Sequence, residues 1–266
     1  MRDVSFGQYY PASSFVHKCD PRIKLLALIV YIVALFMAKN FYALGACALL
    51  FAVIVIASNV PILSVLRSIK AILFLVLFTA VLNLFFHSGE TVLIFTITKE
   101  ALYFTVFLSA RLFLLVFGST ILTLTTTPVA LTDGVESLLT PFKWIKLPVH
   151  VLALVMSIAL RFIPILTDET GRIMNAQKAR GADFETGGLI NRIKAIVPIL
   201  IPLLISAFRR AEELGDAMDA RCYSGSKVRT KYKKLKFGWR DLLTAIVFGG
   251  LLTGVILLRI YTPWLI

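Results

Sequence analysis

Two arginines stand in matching company, in Ala179-Arg180-Gly181 and in Ala220-Arg221-Cys222. Each closes a long stretch that starts apolar and proline-bearing and then turns polar. The first starts at Arg161-Phe162-Ile163-Pro164-Ile165, the second at Pro198-Ile199-Leu200-Ile201-Pro202-Leu203. An arginine at such a place does recognition rather than catalysis. Its planar fork meets a carboxylate through two hydrogen bonds, and it is weakly hydrated for a cation, which suits a buried anchor. The plainer reading of either residue is a cation that complements a helix dipole, worth about 0.3–1 kcal/mol. Matching neighbours at two helix ends favour a paired contact with a two-lobed partner.

Other chemistry is missing. No phosphate-cradling loop occurs: Gly225-Ser226-Lys227 lacks the preceding glycine and strand that such a loop needs. The histidines His17, His87 and His150 are isolated, and no nucleophile–base pair can be assembled. Cys19, Cys47 and Cys222 show no metal-ligand spacing and require no oxidising compartment. None of the 15 carboxylates lies in the interior of an apolar run, whereas ion-coupled carriers place an ionisable carboxyl at membrane depth. Asn83 and Arg111 are the polar residues inside predicted spans. Arg111 has two readings, as a structural group that satisfies carbonyls or as a direct participant in transport.

The elements that must hold the arginines are set by composition. Of 266 residues, 58% are hydrophobic and 16% charged, with a mean hydropathy of +0.85, against roughly 25% charged in soluble domains. This is a polytopic, all-α membrane protein. The net charge of +13 is clustered beside membrane spans, which points to cytoplasmic retention and anionic lipid rather than nucleic acid. The first apolar run follows a polar leader and more spans follow it, so no cleavable signal peptide is expected.

Four spans are expected in residues 1–127, near 23–38, 41–57, 69–86 and 101–124. The first two form a tight hairpin around Lys39-Asn40, each slightly short of the ~20 residues that cross a bilayer. Residues 90–100 alternate β-branched positions and are hard to place. Thr125-Thr126-Thr127-Pro128 ends the fourth span, because proline blocks helix continuation. Residues 128–240 alternate apolar and charged stretches and are expected to form long cytoplasmic helices. Residues 148–181 read as one or two helices, with Pro164 as the kink or joint, ending at Gly181, whose position suits a helix-ending glycine. After Gly187-Gly188, residues 189–222 read as a second helix or a broken pair, with Pro198 and Pro202 as the joint. Leu204, Phe208, Ala211, Gly215, Met218 and Cys222 recur at steps of four and three, the spacing of a narrow helix–helix seam. A fifth span fills 241–266. With the N-terminus inside, twenty-four basic residues fall on the cytoplasmic side, and only Lys39, Lys99 and Arg259 outside. The positive-inside rule selects this topology.

The leader Asp20-Pro21-Arg22-Ile23-Lys24-Leu25, the Thr125-Thr126-Thr127-Pro128 turn, and Arg161-Phe162-Ile163-Pro164 leading into Ala176-Gln177-Lys178-Ala179-Arg180-Gly181 resemble the transmembrane T component of energy-coupling factor transporters. These are prokaryotic importers of the ATP-binding-cassette superfamily for vitamins and transition-metal ions. The likeness runs over roughly residues 5–260. It implies a non-catalytic subunit with no cofactor of its own, ATP and magnesium belonging to two cytoplasmic ATPase partners. It implies that two long helices cross and dock their ends, Ala179-Arg180-Gly181 and Ala220-Arg221-Cys222, into one ATPase each. It further implies a separate membrane-embedded S component that binds the substrate and contacts this chain through apolar surface. Cys222 departs from the commoner Gly or Ser and accepts a positive φ less readily than glycine. Two other functions fit the residues taken alone: a secondary carrier with its own substrate path, and a membrane enzyme or assembly factor with a basic cytoplasmic face.

Overall fold

A computed structural model describes residues 9–86, 92–94, 97–141, 148–182, 188–223 and 237–261. His87-Ser88-Gly89, which follow the third expected span, Gly187 of the glycine pair, and Gly225-Ser226-Lys227 lie outside these. The described residues are almost wholly helical. In order it forms α1 (Pro21–Met37), α2 (Phe41–Ser58), α3 (Ile62–Phe86), a two-stranded ribbon β1 (Val92–Ile94) and β2 (Ile97–Thr98), α4 (Lys99–Thr125), α5 (Pro128–Leu139), α6 (Val149–Ala179), α7 (Leu189–Ala220) and α8 (Trp239–Tyr261). Of the hard-to-place residues 90–100, 92–94 and 97–98 form this ribbon, antiparallel with Val92 opposite Thr98 and Ile94 opposite Ile97, Lys99 and Glu100 begin α4, and 90–91 and 95–96 lie outside the described residues.

The five expected spans correspond to α1, α2, α3, α4 and α8. Among the described residues, α2, α4 and α8 are long and apolar enough to cross a membrane, and so is Val151–Ala179 within α6. The last was not among the expected spans. Its first half is apolar enough to count despite Arg161. The protein is a multi-pass membrane protein.

Two compact units divide the chain within α6, one of residues 1–153 and 235–266, the other of 154–234. In the first, α1 lies at the centre, packed on α4, α5 and α8, while α2 packs on α4 and α8 and α3 on α4. Small residues let these helices approach, as is common where lipid tails surround a bundle: Ala34, Ala38, Ala43 and Cys47 are buried around Tyr31, Leu35 and Phe107. Gly118 is required for this packing, since a Cβ there would lie 2.8 Å from the Tyr31 ring. Large apolar side chains such as Phe36, Leu49, Ile56 and Phe74 point outward, where hydrocarbon can cover them.

The helices are punctuated as their sequences require. Asp20 caps α1, its Oδ1 accepting from the Arg22 N–H (2.9 Å), with Pro21 at the first helical position. Thr127 caps α5 with Pro128 in the same role. In the second unit α6 runs unbroken through Pro164, and α7 through Pro198 and Pro202. The prolines are therefore interior positions, not joints between separate helices.

Candidate functional site

The ends of α6 and α7 have the same backbone geometry. At the end of α6, the Gly181 N–H donates to Lys178 O (3.0 Å) and the Ala182 N–H to Gln177 O (3.0 Å). At the end of α7, the Cys222 N–H donates to Asp219 O (2.8 Å) and the Tyr223 N–H to Met218 O (3.0 Å). Both are Schellman closures, with the final residue in the left-handed region: φ is +87° at Gly181 and +57° at Cys222. Cys222 thus takes up the conformation that glycine would, and the two ends superimpose in kind. In each, the arginine is the cap residue, one before the left-handed turn.

Ala179, Arg180, Gly181, Ala220, Arg221 and Cys222 are all exposed. Among the described residues neither Arg180 nor Arg221 has a side-chain hydrogen bond or ion pair. A cation at a helix C-terminus draws some stabilisation from the dipole, but nothing among the described residues takes up the fork geometry of either guanidinium. Both are offered outward.

Behind the ends, α6 and α7 are tied by two polar contacts whose order along the helices is opposite. Arg210 pairs with Glu169 (3.5 Å). The Gln177 Nε2 donates to Pro198 O (3.5 Å). The second contact has a covalent cause. Pro202 has no N–H, so the Pro198 carbonyl loses its normal helical donor, and Gln177 supplies another. Gln177 is also the residue whose own carbonyl closes the α6 cap. One side chain therefore connects the α6 terminus to the proline-bearing part of α7.

The expected apolar seam on α7 does not pack. Leu204, Phe208, Ala211, Gly215 and Cys222 are exposed, Phe208 by 64%, and only Met218 is half-buried. Half-buried residues of α7 lie on another stripe, with Leu203, Ala207, Arg210 and Leu214. Helical spacing correctly identified an apolar stripe. It could not say whether that stripe met a neighbouring helix or was left free. On α6, Val151, Leu152, Val155 and Met156 are likewise exposed. In water each such side chain would forgo about 1.5–3 kcal/mol, so these faces need lipid or protein cover.

The two polar residues in spans have local partners. Arg111 donates from Nη2 to the Ala38 carbonyl at the α1 C-terminus and lies over the Phe107 ring, 4.7 Å from its centroid. The Asn83 Nδ2 donates to Thr79 O one turn earlier (2.8 Å). Of the two readings, the structural one describes Arg111: it satisfies a helix-end carbonyl.

A second polar assembly, not foreseen from the residues, joins two of the motifs quoted above. The buried Lys24 ammonium donates to Thr125 O (3.0 Å), Thr126 Oγ1 (3.3 Å) and His17 O (3.4 Å). Buried Asp241 accepts from the Asp20 N–H (2.8 Å) and, through its other oxygen, from the Gly238 N–H (2.8 Å). The leader, α1, the threonine turn and the start of α8 are locked together here. His17 bridges Ser14 and Tyr10: its Nε2–H donates to Tyr10 O (3.0 Å), leaving Nδ1 to accept from the Ser14 hydroxyl (2.7 Å). Burial, followed by the charge of Lys24, outweighs the Tyr10 bond and holds the His17 pKa below its ordinary value. Burial pushes the Cys19 thiol up, so it is not a reactive thiolate.

Comparison with known proteins agrees with this architecture. Residues 12–232 match the family model described as cobalt transport protein CbiQ. The chain is 45% identical over 262 residues to the energy-coupling factor transporter transmembrane protein EcfT of Ruminiclostridium cellulolyticum, covering 97% of this chain and 98% of that one. It is 45% identical over 266 residues to the protein of the same name in Clostridium kluyveri, covering 98% of each. With that of Brevibacillus brevis it shares 46% over 253 residues, covering 93% of this chain and 95% of the other.

Proposed function

This chain belongs to the family of energy-coupling factor transporter transmembrane proteins, and from that membership we propose that it couples two cytoplasmic ATPases to a substrate-binding S component during uptake of vitamins or transition-metal ions. It is the non-catalytic membrane subunit. ATP and magnesium are handled by the ATPases, and substrate by the S component.

The observation that carries the reading is the matched pair of helix ends. Two Schellman closures present Arg180 and Arg221 at the same cap position, exposed and without partners in the described protein. Two equivalent cationic ends suit two similar ATPases with acidic grooves. The Glu169–Arg210 and Gln177–Pro198 contacts link α6 to α7 and offer a route by which displacement of one helix end would reach the other. The exposed apolar faces of α6 and α7, near 151–166 and 196–208, form the platform for the S component at the membrane surface. The basic-residue asymmetry puts the N-terminus and the helix ends in the cytoplasm.

The test is co-purification and uptake with Arg180→Glu, Arg221→Glu and the double substitution. Losing one partner of a desolvated charge pair costs ~2–5 kcal/mol, roughly thirty- to several-thousand-fold in affinity. Each single variant should lose ATPase retention, glutamate more than alanine, with lysine restoring part of it. The double variant should lose association or uncouple hydrolysis from uptake while still inserting in the membrane. Unchanged association and uptake in the double variant would return both residues to ordinary helix-end cations. A secondary carrier would take up substrate without any ATPase.

A further inference from the structure

Between α1, α2, α4 and α8 lies a half-open cavity of about 200 Å³. Its wall is almost entirely apolar: Leu28 and Tyr31 from α1, Ile54 from α2, Leu122 from α4, Val247 and Phe248 from α8. A sealed apolar void of ~150 Å³ can stay dry and take up benzene, so this one is large enough for a stretch of hydrocarbon chain. It extends towards the end of the bundle where α1 and α8 begin, and Phe15 and Cys19 line it there.

That end is cationic. Arg240 is exposed, and its guanidinium lies over the Phe15 ring at 5.7 Å. Among the described residues no carboxylate pairs with it. Lys24 also lines the cavity, but its ammonium is already taken up by three oxygens, so of these two cations Arg240 is the one whose side chain has no oxygen partner among the described residues. Trp239 and Phe237 stand exposed beside it, and tryptophan is a residue type that settles at the headgroup level of a bilayer. An apolar slot with this arginine and exposed aromatics at its mouth matches one molecule end to end.

We propose that this cavity holds an acyl chain of an anionic phospholipid of the cytoplasmic leaflet, its phosphate paired with Arg240. The inner leaflet is the one that carries anionic lipid and attracts basic residues near its surface. The guanidinium matches phosphate in two-bond geometry. The lipid fills a void between α1 and α8 and so acts as a structural part of the bundle. The site depends on the protein being in the membrane, not on the docking of Arg180 and Arg221.

The experiment uses the full chain in phosphatidylcholine vesicles with a trace of phosphatidylglycerol that carries a diazirine within one acyl chain. After illumination, adducts should concentrate on peptides containing Leu28, Ile54 and Val247. Excess phosphatidylglycerol should compete better than phosphatidylcholine with the same chains, by about tenfold for one charge-assisted hydrogen-bonded contact. Arg240→Gln should equalise the two competitors. Ala57→Phe, or Val53→Trp from another part of the wall, should remove the adducts from the cavity while leaving those on outward-facing Phe36 and Leu49. Equal competition by the two lipids in the unmodified chain, or adducts spread evenly over the outward face, would mean ordinary boundary lipid and overturn the site. The competition arm needs no substitution and stands whether or not the variants fold.

Discussion

Cys222 carries the sharpest residue-scale consequence. A side-chain-bearing residue in the left-handed region costs about 1–2 kcal/mol, a cost Gly181 does not have at the other end. Cys222→Gly should relieve it, partly offset by glycine's freedom in the unfolded chain, for a net gain of up to about 1 kcal/mol. Amide exchange of residues 218–223 should slow several-fold, with ATPase association retained. Gly181→Ala should do the reverse at the α6 end. His17 gives a pH-dependent counterpart. Its folded pKa is lowered, so the folded leader binds fewer protons than the unfolded one as pH falls below the unfolded value of about 6.5. Docking stability is complete above that value and declines below it. Protonation would add charge beside Lys24 and turn Nδ1 from acceptor to donor against Ser14. Protection of residues 9–20 against amide exchange, taken relative to the intrinsic rate at each pH, should therefore fall at pH ~5.5, and His17→Gln should flatten the effect. Identical protection in the acidified native chain would sever this link.

At the scale of elements, α1 is held to α4 by two cations placed oppositely on the antiparallel pair. Lys24 on α1 reaches Thr125 O and Thr126 Oγ1 at the end of α4, and Arg111 on α4 reaches Ala38 O at the end of α1. Helix termini leave carbonyls that need donors, and in lipid no water supplies them. Lys24→Met should strand these oxygens and cost about 1–3 kcal/mol, read as a lowered thermal midpoint in detergent. Leu49→Met, on the outward face, should be near neutral. A Lys24→Met midpoint equal to the parent's would show that the threonine turn finds another donor. Much of the element layout was readable beforehand. The Thr125-Thr126-Thr127-Pro128 turn announced the end of the fourth span and Gly181 a helix end, whereas the capping of α1 by Asp20 and of α5 by Thr127 is seen only in the structure. What could not be read was pairing. Nothing in the spacing of Lys24 and Thr125 says that they meet, because that contact is set by the antiparallel packing of α1 on α4. The α7 stripe from Leu204 to Cys222 was visible as a stripe, yet its exposure depends on what lies opposite it. The prolines at 164, 198 and 202 suggested joints. They sit inside continuous helices, with Gln177 supplying a donor to the Pro198 carbonyl freed by Pro202.

For the whole molecule, orientation decides whether the two helix ends can reach cytoplasmic partners, and the native cysteines allow a direct measurement. Cys19 and Cys47 are buried, and Cys222 is exposed beside Arg221. A membrane-impermeant maleimide should therefore modify the unaltered chain at Cys222 alone. Intact cells or right-side-out vesicles should remain unlabelled, and inside-out vesicles should label. Labelling of Cys222 from the outer side would reverse the topology derived from the basic residues. The same thiol reports on docking. If the α7 end is seated in an ATPase groove, labelling of inside-out vesicles should be slow while the ATPases are bound and should rise when they are stripped. Arg221→Glu should give the fast rate without stripping, whereas Arg180→Glu, acting at the other end, should affect Cys222 less. Equal rates with and without bound ATPases would mean that this helix end stays in water, and the coupling path would then have to leave the membrane subunit somewhere other than α7.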